Sequence, residues 1–458
     1  MQRVIVPSPP AHGPGVFRLA WQDRALRLVL LVALVIRAGL SVAAFERGTA
    51  EASDTHTYLQ PAQSLIAAGQ FDSDGAPELV RTPGYSVLLI VGVLAGRVFP
   101  ITLALQVILG TATTFGVAVL ALSMGATRRV AILAAAVYAV EPTGLIYVSK
   151  LLSETLFTAV VTGVLIAITL WARDGRRLPL ITAAVLLAVA GYVRPVAYYA
   201  PLPLAVLVMF MAYHYHRAPL RVAALSAAAV LAIAGGPLAA WRVRNAVVAG
   251  YDQFTAIADI HLLYFRGAGV VARRTGRTLE DVQAQLRSQL DVDAPLVGTD
   301  RIARGHERAA RYQEMRRRGL AIISKDPVAV ALDVLAGAAR IVLGRETSEW
   351  GVLLGMTSLS PRWRLLRVVL TVAWLPLLGL AIIGLIRVRW EVALVLPGVL
   401  VTVYLVALSS GPESSSRFRL AFIPVLSVFA VAGAFHIRQR ATACGGGRPR
   451  VAAAELSS

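Results

Sequence analysis

The residues best suited to chemistry in this chain are a run of carboxylates followed by an arginine. Between residues 46 and 83 lie Glu46, Glu51, Asp54, Asp72, Asp74 and Glu78, and Arg81 opens the run Arg81-Thr82-Pro83-Gly84-Tyr85. A positioned carboxylate can take a proton from a hydroxyl nucleophile. A guanidinium can grip a phosphate or carboxylate through two parallel hydrogen bonds. Further along, Lys150, Glu154, Arg194, Arg244, Asn245, Arg417 and Arg419 sit at the edges of apolar runs. Each also has a plainer reading. Asp54, or Ser53 before it, is placed to cap a helix whose apolar face is Tyr58, Leu59, Ala62, Leu65 and Ile66 and which Gly69 ends. Glu154 stands one turn from Lys150 and can pair with it, while Lys150 can snorkel. Arg194 can mark a helix end before Pro195, and Arg417 and Arg419 can anchor a helix at an interface.

A membrane domain must hold these residues. Of 458 residues, 57% are hydrophobic and only 16% charged, where soluble domains carry about 25% charged residues. The mean hydropathy is +0.67. A single cysteine, Cys444, excludes a disulfide scaffold, and the apolar fraction excludes a disordered chain. The net charge of +19 comes from 45 basic and 26 acidic residues, with Lys150 and Lys325 the only lysines. Such a charge can signal nucleic-acid binding. Here the basic residues fall in short gaps between apolar runs, the footprint of the positive-inside rule, so no nucleic-acid partner is expected.

The fold class expected is an all-α polytopic membrane protein with about ten transmembrane helices. The spans are 26–45, 101–122, 129–144, 150–171, 178–193, 195–213, 221–240, 365–386, 391–409 and 419–437. Ten crossings from a cytoplasmic N-terminus put the clusters Arg18/Arg24/Arg27, Arg128/Arg129, Arg173/Arg176/Arg177, Arg217/Arg221, Arg387/Arg389 and Arg438/Arg440 all inside. Residues 84–98 are too short for a span and would invert that order. They read as a re-entrant or interfacial helix, and so do 327–344. The first span, with an apolar stretch of roughly 20 residues, reads as an anchor that stays. Five regions follow: a cytoplasmic segment 1–25; a core 26–240 with a first outer loop 46–83; a long outer loop 241–363 with helical patterns near 278–290 and 303–324; terminal spans within 364–437; and a disordered cytoplasmic tail 438–458. In this topology only Asp23, Asp174, Glu391 and Glu455 lie inside, and the other 22 of 26 carboxylates lie at or beyond the outer face. Arg37 alone puts a charge deep in a span, where pairing with carbonyls or a nearby acid is expected.

Neither a nucleotide loop nor a metal cluster is apparent. GAGV at 267–270 and GGG at 445–447 neither follow a strand nor open a helix with Lys-Ser/Thr. His56, near Asp54, has no third and fourth ligand at recognisable spacing, so no structural zinc is expected. No cofactor is required, and no ligand set is supplied for a divalent metal assisting a phosphate.

Asp54, Tyr58, Gly69 and Arg81-Thr-Pro-Gly-Tyr85 resemble the first outer loop of GT-C glycosyltransferases. Further similarities are Glu141-Pro142, Ser153-Glu154-Thr155-Leu156-Phe157, Arg194-Pro195, Trp241-Arg-Val-Arg244-Asn245, and Arg417-Phe-Arg419 with Pro424. These membrane enzymes take a sugar from a polyprenyl-phosphate carrier. They include protein O-mannosyltransferases and lipid A aminoarabinose transferases, and the bacterial RgtA/B/C/D-like branch is the nearest in pattern. The chain departs from the aminoarabinose type, which has an acid-Lys-Pro-Pro run where Val80-Arg81-Thr82-Pro83 stands here, and a second proline where Ser86 stands.

The resemblance implies an inverting single displacement with Asp54 as general base. It makes Arg81, Lys150, Arg244, Arg417 and Arg419 candidates for the donor phosphate, and Tyr58, Glu154, Arg194 and Asn245 candidates for substrate binding. A retaining mechanism needs two acids flanking the sugar, and spacing places no second one. The implied partners are a polyprenyl-phosphate-linked sugar, an acceptor that is an envelope lipid, glycan or protein, and membrane lipids. The implied location is the plasma membrane, with both termini cytoplasmic and the active site on the outer face. The alternatives are a transporter or flippase of lipid-linked sugars, or an inactive binder of them. A transporter would often show inverted repeats and charges near the bilayer midplane, and no clear repeat is visible.

Overall fold

The computed structural model describes residues 15–290, 294–344, 347–357 and 360–445. The helices are α1 (Val16–Trp21), α2 (Arg24–Glu46), α3 (Thr55–Ala68), α4 (Pro83–Leu94), α5 (Val98–Ser123), α6 (Arg128–Ala139), α7 (Pro142–Val148), α8 (Glu154–Asp174), α9 (Arg177–Val193), α10 (Pro201–His214) and α11 (Leu220–Val230). They continue with α12 (Gly236–Ala249), α13 (Ile257–His261), α14 (Ala268–Thr275), α15 (Leu279–Leu290), α16 (Arg301–Ile323), α17 (Pro327–Leu343), α18 (Ser348–Leu353), α19 (Pro361–Arg387), α20 (Val392–Ser409) and α21 (Ile423–Gly445). Among the described residues the only strands are β1 (Asp72–Ser73) and β2 (Ala76–Pro77), an antiparallel pair. Asp74 and Gly75 join them, both at positive φ (49° and 70°), as a two-residue hairpin turn of the Asp-Gly kind requires.

Every expected span coincides with a helical segment. Among the described residues seven helical segments are long and apolar enough to cross a membrane, or eight if the bent pair α6–α7 is one span. The two remaining expected spans are the shorter apolar helices α9 and α10. The pair α6–α7 bends by 55°, because Pro142 cannot continue the helix and Glu141 caps the new one by accepting from the Gly144 amide at 2.6 Å. The span expected from 195 opens instead with a 3-10 turn, Pro195–Tyr199, and α10 begins only at Pro201. Helix α4 has 12 residues, on the order of 18 Å of helix, too short to cross. The last helix continues beyond 437 to Gly445; the rest of the expected tail lies outside the described residues.

Small residues let the helices approach closely. A Cβ on Gly384 would collide with the Phe429 carbonyl, so its absence lets α19 and α21 come together. Gly110 makes room for Arg37, which is buried and donates to the carbonyls of Ala33 (3.3 Å) and Tyr138 (3.5 Å). Large apolar side chains such as Leu28, Val35, Leu178, Val206, Leu365 and Ile386 stay exposed on the outer helix faces, as a lipid-facing belt does.

The two ends of the bundle differ. Asp23, capping α2, pairs with Arg128 at the start of α6, and His216 packs on Trp171 near the end of α8. The opposite end, here the loop end, gathers α3, the hairpin, α4, the α7–α8 turn, the end of α9 and the 3-10 segment Ser416–Phe422. There α16 straps the hairpin. Arg301 grips Asp72 through two bonds (2.5 and 2.6 Å), and Arg308 donates to Ser73 Oγ (2.8 Å) and Ser73 O (3.0 Å).

Candidate functional site

Asp54 occupies the N-cap position of α3 but makes no side-chain cap bond. Its carboxylate turns instead to Arg81, with Nη2 at 2.9 Å from Oδ1. The two side chains are 33% and 15% exposed, so the pair is reachable from solvent. Thr57 and Tyr58 complete the grip on Arg81: Nε donates to Thr57 Oγ1 (2.8 Å) and Nη1 to the Tyr58 hydroxyl (3.2 Å). The guanidinium also lies 4.5 Å over the Tyr58 ring. Burial works against its charge, but Tyr58, Asp54 and Glu78 outweigh burial and raise its pKa above the ordinary value. Of the apolar face expected for α3, Tyr58 and Ala62 are buried, Leu59 and Leu65 are half-buried, and Ile66 is exposed.

Several residues fix this geometry. Glu78, following the hairpin and 5% exposed, accepts from Ser73 Oγ (2.5 Å) and from the amides of Val80 (2.6 Å) and Arg81 (2.8 Å). Tyr58 packs edge-on against Tyr85 at 5.0 Å. Tyr85 donates to Gln106 (2.7 Å), which in turn donates to the carbonyls of Val148 (2.9 Å) and Lys150 (2.7 Å). Ser86, where the related pattern has proline, donates to the Tyr58 carbonyl at 2.9 Å and ties α4 to α3. Gly84 is required because a Cβ there would meet the Tyr192 backbone of α9 at 2.7 Å.

A second group faces the same space. Glu154, at the start of α8 and 4% exposed, accepts from Arg194 Nη1 at 2.7 Å. Arg417 stands between the acids, 3.7 Å from Glu154 Oε1 and 4.0 Å from Asp54 Oδ2. Ser153 links the two groups through a 3.3 Å contact with the Tyr58 hydroxyl. Phe418 lies under both Arg194 (5.6 Å) and Arg417 (5.2 Å). Asp54, Tyr58, Arg81, Glu154, Arg194 and Arg417 thus converge from four separate stretches of sequence.

The other candidates are engaged nearby. Lys150 does not pair with Glu154; its ammonium meets Glu349 at 2.8 Å and donates to the Thr49 carbonyl at 2.6 Å. Arg244 donates to the carbonyls of Glu78 (2.8 Å) and Phe71 (2.9 Å), and Asn245 to those of Gln253 and Phe254 (3.0 Å each). Arg244 thereby holds the backbone on both sides of the hairpin, and Asn245 holds the loop after α12. Arg419, 3% exposed, donates to the Gly344 carbonyl (2.5 Å) and to Thr143 Oγ1 (3.3 Å), and stacks 3.7 Å over Trp374. It lines a cavity of about 240 Å³ between the α6–α7 bend and α19, with Val137, Glu141, Pro142, Thr143 and Trp374. His56 is exposed.

The chemistry available is that of two carboxylates, Asp54 and Glu154, and three arginines in a half-buried cleft at the end of an apolar bundle. Of the supports, Glu78 and Ser153 stood in the sequence only within the carboxylate run and a short similarity, and Thr57, Gln106 and Glu349 were not singled out. Of these three only Gln106, a lone amide within a long apolar run, carries a visible signal.

The bundle with its loop-end cleft has the GT-C membrane fold. Among solved structures, archaeal oligosaccharyltransferase AglB from Archaeoglobus fulgidus, in complex with an inhibitory peptide and a dolichol-phosphate, matches with a TM-score of 0.53 at 12% identity, over 96% of this chain and 53% of that one. The apo form of the Archaeoglobus fulgidus oligosaccharyltransferase gives 0.50 at 13% identity over the same shares. ArnT from Cupriavidus metallidurans bound to undecaprenyl phosphate gives 0.38 at 15% identity, over 91% and 78%. The chain spans about half the length of the archaeal oligosaccharyltransferases it matches. No family model and no curated protein matches the sequence.

Proposed function

We propose that this chain is a multi-pass glycosyltransferase of the plasma membrane. It moves a sugar from a polyprenyl-phosphate carrier to an envelope lipid, glycan or protein at the outer face, with inversion. The observation that carries this reading is the solvent-reachable Asp54–Arg81 pair at 2.9 Å, at the loop end of a GT-C fold. An archaeal enzyme of that fold was solved with a dolichol-phosphate, a carrier of the same class. The sidedness rests on charge. The end bearing Asp23–Arg128 also bears Arg173, Arg176, Arg177, Arg387 and Arg389, which the positive-inside rule assigns to the cytoplasm.

In this mechanism Asp54 takes the proton of the acceptor hydroxyl as that oxygen bonds to the anomeric carbon. The bond from that carbon to the phosphate oxygen breaks, and its electron pair leaves on the phosphate. Arg81 and Arg417 meet the charge that develops there. Arg81 keeps a second N–H on each Nη for the phosphate beyond its bonds to Tyr58 and Asp54. The apolar cavity beside Arg419 suits the first units of the carrier tail, and the stretch 241–363 covers the cleft and meets the acceptor.

The test uses purified protein in nanodiscs, with radiolabelled polyprenyl-phosphate sugars and an envelope-lipid extract. Label is expected to leave the carrier with wild type. Arg81→Ala is expected to raise the donor KM at least tenfold, and an unchanged donor KM removes Arg81 from the site. If no donor is consumed while a control transferase is active, the transferase reading fails and flipping across sealed vesicles is measured next.

A further inference from the structure

The charges of the cleft do not balance, and the imbalance selects a substrate. Asp54 and Glu154 face three guanidinium groups, Arg81, Arg194 and Arg417. The other charges nearby offset one another: Lys150 meets Glu349, and Arg244, held by the Phe71 and Glu78 carbonyls, is offset by the Glu78 carboxylate, which also acts on Arg81. The cleft therefore holds one positive charge in excess. A second feature is an orphan acceptor. Glu154 is 4% exposed, its Oε1 accepts from Arg194, and its Oε2 has no hydrogen-bond partner among the described residues. A buried oxygen left unpaired is costly, and a ligand donor would satisfy it.

Resting on the transferase reading above, we propose that the transferred sugar is neutral and that Glu154 Oε2 accepts a hydrogen bond from one of its hydroxyl groups. A polyprenyl-phosphate sugar is a phosphodiester with one negative charge. That charge matches the excess guanidinium and leaves the cleft neutral. A uronic acid would bring a further carboxylate with no cation to meet it, beside the buried Glu154. An amino sugar would bring an ammonium next to Arg194 and Arg417. Beside the buried Glu154 either mismatch is expensive. A hydroxyl is the donor that suits Oε2 without changing the charge.

The experiment compares three polyprenyl-phosphate donors on one carrier, bearing a neutral hexose, a uronic acid and an amino sugar, each labelled in the sugar. Both turnover and retention of labelled donor by wild-type nanodiscs are measured. The neutral donor is expected to lead in kcat/KM by at least tenfold. A uronic or amino donor used equally well or better overturns the inference while leaving the transferase reading intact. If no donor is turned over, the transferase reading fails, and retention decides the subsite. Retention of the neutral donor at least tenfold tighter supports it, and equal or weaker retention overturns it. Glu154→Gln adds a charge test, since it leaves two positive charges in excess. The preference for neutral over uronic donor is expected to narrow at least threefold in this variant, and an unchanged preference counts against Glu154. The wild-type comparison decides the matter without the variant if Glu154→Gln does not fold.

Discussion

Replacing Asp54 with asparagine separates a catalytic role from a structural one, because the structure gives the two roles opposite signs on donor binding. The helix does not depend on this carboxylate, since Asp54 makes no cap bond. Arg81 keeps Thr57 and Tyr58 without it, and Arg417 keeps Glu154. The lost pair is partly solvated, with its carboxylate 33% exposed, and such pairs contribute about 0.2–1 kcal/mol. The midpoint of thermal unfolding is therefore expected to move by less than about 4 °C. Turnover has a larger stake, since a general base contributes about 100- to 10,000-fold. Donor affinity is expected to improve, because Asp54 competes with the phosphate for Arg81. Releasing a pair worth about 0.2–1 kcal/mol tightens binding roughly 1.4- to 5-fold. The assay is single-turnover release of labelled sugar together with direct retention of labelled donor, for wild type and Asp54→Asn. A fall in turnover under tenfold, or weaker donor retention at unchanged thermal stability, refutes the base assignment.

Glu78→Ala strips a buried acceptor from Ser73 and from the Val80 and Arg81 amides, at a cost of about 1–3 kcal/mol; kcat/KM is expected to fall at least tenfold, and wild-type kinetics would show that Arg81 is positioned by other means. Gly384→Ala forces a Cβ into the Phe429 carbonyl, and overpacking of this kind costs about 1–3 kcal/mol; a thermal midpoint equal to wild type would contradict the close approach of α19 and α21. Burial of Glu413 opposes its charge, but His261 and Arg266 outweigh burial and lower its pKa below the ordinary 4.5. That stabilisation is present above pH 4.5 and is lost as pH falls through the lowered value, so the midpoint difference between wild type and Glu413→Gln is expected to shrink on acidification, and a difference that grows would reverse the sign.

Helices were legible in this sequence because lipid imposes a coarse rule. A segment that crosses must be apolar and must satisfy its own backbone, so composition alone finds it. What composition missed were local breaks. Pro142 divides one expected span into α6 and α7, and the 3-10 turn at Pro195–Tyr199 delays α10 to Pro201. The Asp74-Gly75 hairpin was hidden for a different reason: its strands are two residues each, too short for any alternation to register.

The cleft was legible only where its residues are neighbours in sequence. Asp54, Tyr58 and Arg81 fall within one loop, and a helix-cap position followed by Arg-Thr-Pro-Gly marks them. Glu154, Arg194 and Arg417 come from α8, the end of α9 and the segment before α21, and nothing in their spacing says that they meet. Sequence spacing even favours the wrong partner, because Lys150 is one turn from Glu154 yet the chain between them is a turn rather than a helix, and the lysine goes to Glu349 instead. Glu154 is thereby left to Arg194 and Arg417, with one oxygen unclaimed. Because Lys150 goes to Glu349, it adds no further cation beside Glu154; had it paired with Glu154 instead, the cleft would carry a second uncompensated positive charge, suited to a carboxylated donor.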